Sequence, residues 1–169
     1  QEHGPQVDFE GELAVVIGTD CRDASPEQAA AAIGGYAVAN DVSARWWQKK
    51  GSGGQWVRGK SFDTFCPMTT PVSPHDIDPQ ALHLQTSVSG EVMQDASTAD
   101  MIFPVIDLIV ELSRGTTLLE GTVILTGTPA GVGTARTPPR YLCHGDVVEV
   151  SISGIGTLRN TVVAEASAY

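Results

Sequence analysis

From Val7 to Gly18 the chain reads VDFEGELAVVIG. Side chains of a strand alternate between faces, so residues two apart share one. Phe9, Leu13, Val15 and Ile17 then form an apolar stripe, and Asp8, Glu10 and Glu12 point the other way. The pattern predicts a buried strand with two like charges on neighbouring same-face positions at its mouth. Such a pair is either a solvated strand end or half of a cation site.

The rest of the chain reads as β-rich with a few helices. Ser25 followed by Pro26 and an alanine run predicts a capped helix ending at Gly34-Gly35. YAVA (36–39) reads as a short buried strand leading to Asn40-Asp41, and VSARWWQKK (42–50) as a second helix stopped by GSGG. From Trp56 onward strand signals dominate. ALHLQTSVSG alternates and turns at Ser89-Gly90 into EVMQDAS, a hairpin. DMIFPVIDLIVELSRG carries apolar residues at helical spacing and stops at Gly115. GTVILTGTPAGVG is a buried strand running into a glycine-rich loop, and GDVVEVSISGIGTLRNTVV forms two strands around Ser153-Gly154.

With 169 residues, 41% of them hydrophobic and 18% charged, and with no repeat or long linker, residues 1–169 read as one mixed, mostly β domain with short helices. No apolar run approaches the roughly 20 residues that span a bilayer. A formal net charge of −10 argues against nucleic acid or an anionic membrane as partner. It leaves a small anionic substrate open, because one bound cation reverses a local field. Cys21, Cys66 and Cys143 form no CxxC pair, as suits reduced structural thiols of a cytoplasmic protein. The four histidines lack zinc spacing.

Asp41 is a third carboxylate of interest. It caps the following helix, or it completes an all-oxygen site with Glu10 and Glu12. Three carboxylates without His or Cys favour Mg²⁺, Mn²⁺ or Ca²⁺ over zinc. Lys60, in RGKSFDTF, is either a surface lysine or a charge suited to a carboxylate or a developing enolate. The loop LTGTPAGVG (125–133), with Gly127 and Thr128, has the glycines that let backbone N–H groups approach an anion. Arg45 and Gln48, three apart, share a helix face. Trp46 and Trp47 read as packing.

In order along the chain, EGELAVVIG, GGYAVANDVSAR, GKSFDTF, MIFPVIDLIVELS, GTVILTGTPAGVG and GDVVEVSISGIGTLRN resemble the fumarylacetoacetate hydrolase family. The likeness runs from about Val7 to Val163 and points to its small branch of acylpyruvases, fumarylpyruvate hydrolases, oxaloacetate decarboxylases and related isomerases. It implies a β-sandwich roll like the C-terminal domain of fumarylacetoacetase, usually a homodimer. It implies one Mg²⁺ (or Mn²⁺ or Ca²⁺) on Glu10, Glu12 and Asp41, at the interval expected of this branch. It also places Lys60 and the Thr128 loop, Gly127 included, at the oxo-acid end of the substrate, with Arg45 and Gln48 around the cavity.

The leading implied activity is metal-dependent hydrolysis of a C–C bond in a β-diketo (acylpyruvate-type) acid through an enolate, with Lys60 and Thr128 as catalytic residues. Decarboxylation of oxaloacetate or isomerisation of a 2-oxo acid is the alternative on the same site. A non-catalytic member binding a small acid is a third reading, disfavoured by the joint presence of Glu10, Glu12, Asp41 and Lys60. Hydrolases of the family carry a water-activating His–Glu dyad on a lid upstream of the glutamate strand. Glu2 and His3 lack the surrounding pattern, so the dyad is not transferred to them. The expectation is that the chain begins inside a longer protein; a lidless protein would favour decarboxylation or isomerisation. Ser89, where relatives more often carry Asn, and PMTTP (67–71) bear on substrate selectivity.

Overall fold

The computed structural model describes residues 6–164. The alternation at the N-terminus gives two strands, β1 (Val7–Asp8) and β2 (Gly11–Ile17), with Phe9 and Glu10 as the step between them. Ser25 caps α1 (Pro26–Ala31): its side chain accepts from Gln28 N–H while the Gln28 side chain accepts from Ser25 N–H. β3 (Ile33–Asn40) follows at once and pairs antiparallel with β2 in the register Gly11↔Asn40 and Glu12↔Ala39. The glycines expected to end the helix therefore lie inside a strand. A Cβ on Gly34 would meet Gly18 Cα at 2.7 Å, so the close approach of the two strand ends requires glycine there.

The helix expected over 42–50 forms only in part. Ser43–Ala44 is β4, paired with β1, and Arg45 N–H donates to Gln6 O. A single π-helical stretch then runs from Trp47 to Gly51. The strand pairing takes the residues that would have formed the first helical turn, and Asp41 caps no helix. α2 (Trp56–Lys60) is a short helix where strand signals were expected.

β5 (His83–Val88) and β6 (Glu91–Ser97) form the expected hairpin, with Ser89 (φ 51°) and Gly90 (φ 86°) in the left-handed turn. α3 spans Val105–Leu112, starting after Pro104 rather than at Asp100. β7 (Val123–Leu125) joins the far side of β2, and β8 (Val147–Ile152) and β9 (Gly156–Thr161) close the chain.

The strands make sheets of order β3-β2-β7 and β6-β5-β8-β9, with β1-β4 alongside. The two larger sheets pack through Phe9, Leu13, Val15, Ile17, Val38, Leu84, Val150 and Ile152, and α3 contributes Val105 and Ile109. Fully burying each such side chain contributes about 1.5–3 kcal/mol. The architecture is mostly β with a few short helices, as expected. Among the described residues no helix is long and apolar enough to cross a membrane.

The opposite face of β2 and β3 is built differently. Ala14, Ala37 and Ala39 are fully buried beneath Met68 and Leu125. The segment 67–72 runs along the edge of β3 through the backbone bridges Ala39↔Met68 and Tyr36↔Val72, which places Met68 against the alanines. Glu10, Glu12 and Asp41 share this face, at the end of that alanine floor.

Candidate metal centre

The register Gly11↔Asn40 brings the residues one step beyond each, Glu10 and Asp41, side by side. Asp41 N–H donates to Glu10 O at 2.8 Å, and Glu10 N–H donates to Asn40 Oδ1 at 2.9 Å. Glu12 is two residues along on the same face. One carboxylate oxygen from each of Glu10, Glu12 and Asp41 lies within 4.8 Å of the others. The strand end is not solvated: Glu10 and Glu12 are 8% and 3% exposed.

Three anions in so small a volume require positive charge, and the surrounding chain supplies part of it. Lys60 Nζ sits 2.6 Å from Glu10 Oε2 and 2.5 Å from Asp41 Oδ2. Arg45 Nη2 is 2.6 Å from Glu10 Oε1, and Arg45 Nε is 2.9 Å from Asp8 Oδ2. Burial pulls Lys60 and Arg45 down, but their carboxylate partners outweigh it and hold both above their ordinary values. Glu12 has no such partner. It accepts one hydrogen bond, from Gly127 N–H at 2.7 Å. Burial, reinforced by the charges of Asp41 and Glu10, pushes its pKa up to about 8.

A hard divalent cation fits these residues. The donors are all carboxylate oxygens within 4.8 Å of one another, and a cation there would supply the counter-charge without which buried Glu12 keeps its proton. Lys60 already stands as a cation between two of the three.

Of the remaining site candidates, Gln48 is buried and accepts from Arg45 Nη1 at 3.2 Å, which brings the two side chains together. The Gly127–Thr128 loop reaches the centre from β7. Gly127 N–H is used on Glu12, and Thr128 Oγ1 donates to Gly11 O at 3.0 Å. Both contacts fix the glutamate strand. Trp46 and Trp47 pack edge to face, as expected of packing residues. Glu2 and His3 lie outside the described residues. Ser89 Oγ donates to Asp146 at the hairpin turn.

Sequence reasoning misplaced one buried polar residue and missed another. Asp8, fully buried, does not join the other carboxylates. Its oxygens accept from Phe9, Gly133 and Thr134 N–H groups and from Arg45 Nε, which fixes the arginine that holds Glu10. Gln94, 1% exposed, accepts from Gly11 N–H at 3.0 Å and donates to Thr128 Oγ1 at 2.7 Å and Pro129 O at 2.9 Å. It stitches β6, the glutamate strand and the 126–130 loop together. A glutamine in an alternating strand carries no local signal of this role. Leu13, on the opposite face from Glu12, lines a cleft of about 580 Å³ with Leu84, Met101 and Leu108; the Gly127–Thr128 loop forms part of its wall, and none of the three site carboxylates lines it.

A family model, the C-terminal part of fumarylacetoacetate (FAA) hydrolase, matches residues 2–163. An oxaloacetate tautomerase, YisK, of Bacillus subtilis is 46% identical over 165 residues, covering 96% of this chain and 54% of its own. The mitochondrial oxaloacetate tautomerase fahd2 of Xenopus laevis is 44% identical, at 96% and 51%. This chain thus spans about half the length of these curated relatives. Among solved structures, a fumarylacetoacetate hydrolase of Exiguobacterium antarcticum superposes with a TM-score of 0.91 at 48% identity, over 97% of this chain and 59% of that one. A 2-hydroxyhepta-2,4-diene-1,7-dioate isomerase of Mycobacterium marinum gives 0.87 at 48% identity, over 98% and 62%.

Proposed function

The chain belongs to the fumarylacetoacetate hydrolase family, and from that premise we propose that it is a divalent-metal-dependent tautomerase of a 2-oxo dicarboxylic acid of the oxaloacetate type. The observation that carries this reading is the convergence of Glu10, Glu12 and Asp41 around the Lys60 ammonium. Two relatives named as oxaloacetate tautomerases and a neighbour named as a dienedioate isomerase support the reaction class. Hydrolysis, the leading expectation from sequence, needs in addition a base that activates water. Tautomerisation needs only a proton relay beside a stabilised enolate.

Glu10, Glu12 and Asp41 would hold the cation, with Mg²⁺ the working choice and Mn²⁺ or Ca²⁺ compatible with the same donors. Bound there, it supplies Lewis-acid stabilisation of the negative charge that an enolate places on oxygen. The chain's own residues do the rest. Asp8 locks Arg45, which holds Glu10 from the side away from Lys60. Gly127 N–H orients Glu12, and Gln94 keeps Thr128 on the Gly11 carbonyl between the two glutamates.

Ketonising an enol puts one proton on C3 and removes one from the 2-hydroxyl. Lys60 starts as an ammonium, so it is equipped to deliver the first proton. Taking up the hydroxyl proton restores it, and atoms and charge balance over the cycle.

The test follows the enol absorbance of freshly dissolved oxaloacetate with Mg²⁺. The expected result is decay faster than the metal-only blank, lost with EDTA and in Lys60→Met. Decay at the blank rate overturns the proposal. Acetate and pyruvate formed from acetylpyruvate, seen by proton NMR, would establish hydrolysis in its place.

A further inference from the structure

The distribution of unpaired positive charge points to how a dicarboxylate is selected. Five of the ten Lys and Arg residues fall between Val42 and Phe62, a stretch with no Asp or Glu, in a chain of net charge −10. Arg45 and Lys60, the two of these that reach the centre, are spent on its own carboxylates. Lys and Arg elsewhere among the described residues each sit no farther than 3.6 Å from a carboxylate. Among the described residues, only Lys49, Lys50 and Arg58 have no such partner. All three are exposed, on the segments that flank Gln48 and Lys60.

Arg58 is the one held in place. Its guanidinium lies 4.1 Å from the centre of the Phe62 ring and 5.6 Å from that of Trp47. Stacking on ring faces leaves the N–H edge free for a bidentate carboxylate, which is the geometry in which Arg differs from Lys. Its helix is tied to the centre at two points. α2 ends at Lys60. At Gly59 a Cβ would stand 2.8 Å from Gln48 N, so the helix rests directly on the backbone of the residue that bonds Arg45.

We propose that Arg58, held by Trp47 and Phe62, is the specificity residue for the distal carboxylate of the substrate, with Lys49 and Lys50 raising the local concentration of dianions. This rests on the tautomerase reading, in which the first carboxylate and the oxo group face the metal centre. The second carboxylate of a dianion entering a cluster of three acids needs a cation of its own: Arg45 is held by Asp8 and Glu10, and Lys60 is reserved for the proton transfer at C3.

The test measures Mg²⁺-dependent exchange of C3 hydrogens for deuterium by proton NMR. Two substrates are compared, oxaloacetate, a dianion, and 2-oxobutanoate, a monoanion. Arg58→Gln is expected to lower the ratio of kcat/KM for oxaloacetate to that for 2-oxobutanoate at least fivefold, through the KM for oxaloacetate. Arg58→Lys, which keeps the charge without the fork, should recover part of the loss. Added salt should lower kcat/KM for oxaloacetate more steeply in the parent than in Arg58→Gln. A fall in the ratio of less than fivefold, in a variant whose thermal midpoint matches the parent, overturns the role of Arg58 and leaves the tautomerase reading standing. A parent protein that exchanges neither substrate overturns both.

Discussion

Replacing Glu12 by glutamine separates what the centre costs from what it holds. Glu12 is 3% exposed and its pKa stands at about 8 against 4.5 for an ordinary glutamate. The sign follows from linkage. The unfolded chain gives up this proton near pH 4.5 and the folded chain only near 8, so the folded state loses ground as pH rises between those values. At pH 7.5 nearly the whole gap of about three and a half units has been crossed, and at 1.36 kcal/mol per unit the cost is on the order of 4 kcal/mol. Glutamine keeps an oxygen to accept the Gly127 N–H and carries no charge. In EDTA at pH 7.5, urea unfolding of Glu12→Gln should show a gain of up to about 4 kcal/mol over the parent, shrinking as pH falls towards 4.5. Mg²⁺ should then stabilise the parent and leave the variant unmoved, because one of three anionic donors is gone. A variant less stable than the parent in EDTA rules out the buried-proton cost at Glu12, and one that responds to Mg²⁺ equally rules out its part in holding the cation.

Three further outcomes follow from buried polar groups. Thr86 Oγ1 is buried without a hydrogen-bond partner, so Thr86→Val should stabilise by about 1 kcal/mol in the same urea assay. Asp8→Ala leaves Arg45 buried with only part of its compensation and should destabilise by about 3–5 kcal/mol, read as a lowered urea midpoint. At Asp146, burial pushes the carboxyl up, but Arg140, the Cys143 N–H and the Ser89 hydroxyl outweigh it and hold the pKa below 3.8. Its contribution is complete above pH 3.8 and disappears as pH falls through the lowered value, so Asp146→Asn should narrow the stability gap to the parent on acid titration.

How much of this was legible depended on the range of the interactions. The alternation in β2 and the Ser89-Gly90 hairpin turn are local signals, and both appear as read. The pairing of Glu10 with Glu12 follows from the strand period. The place of Asp41 follows from a register that sequence alone does not print; the family resemblance supplied it, and Gly11↔Asn40 explains it.

Residues 42–50 were misread because a tertiary partner, β1, takes Ser43 and Ala44 into a sheet despite a helical pattern. Asp8 was grouped with the glutamates by parity, yet its acceptors are filled by N–H groups 125 and 126 residues away and by Arg45. Gln94 was invisible for the same reason: its three partners come from two other parts of the chain.

The proposed function stands on one divalent cation held by Glu10, Glu12 and Asp41. Anomalous diffraction from crystals grown with Mn²⁺ tests it most directly. One strong peak per chain is expected between the three carboxylates, with the Lys60 ammonium no longer bridging Glu10 and Asp41. Crystals that bind Mn²⁺ elsewhere, or that keep the Lys60 bridge intact with no peak among the carboxylates, would contradict it.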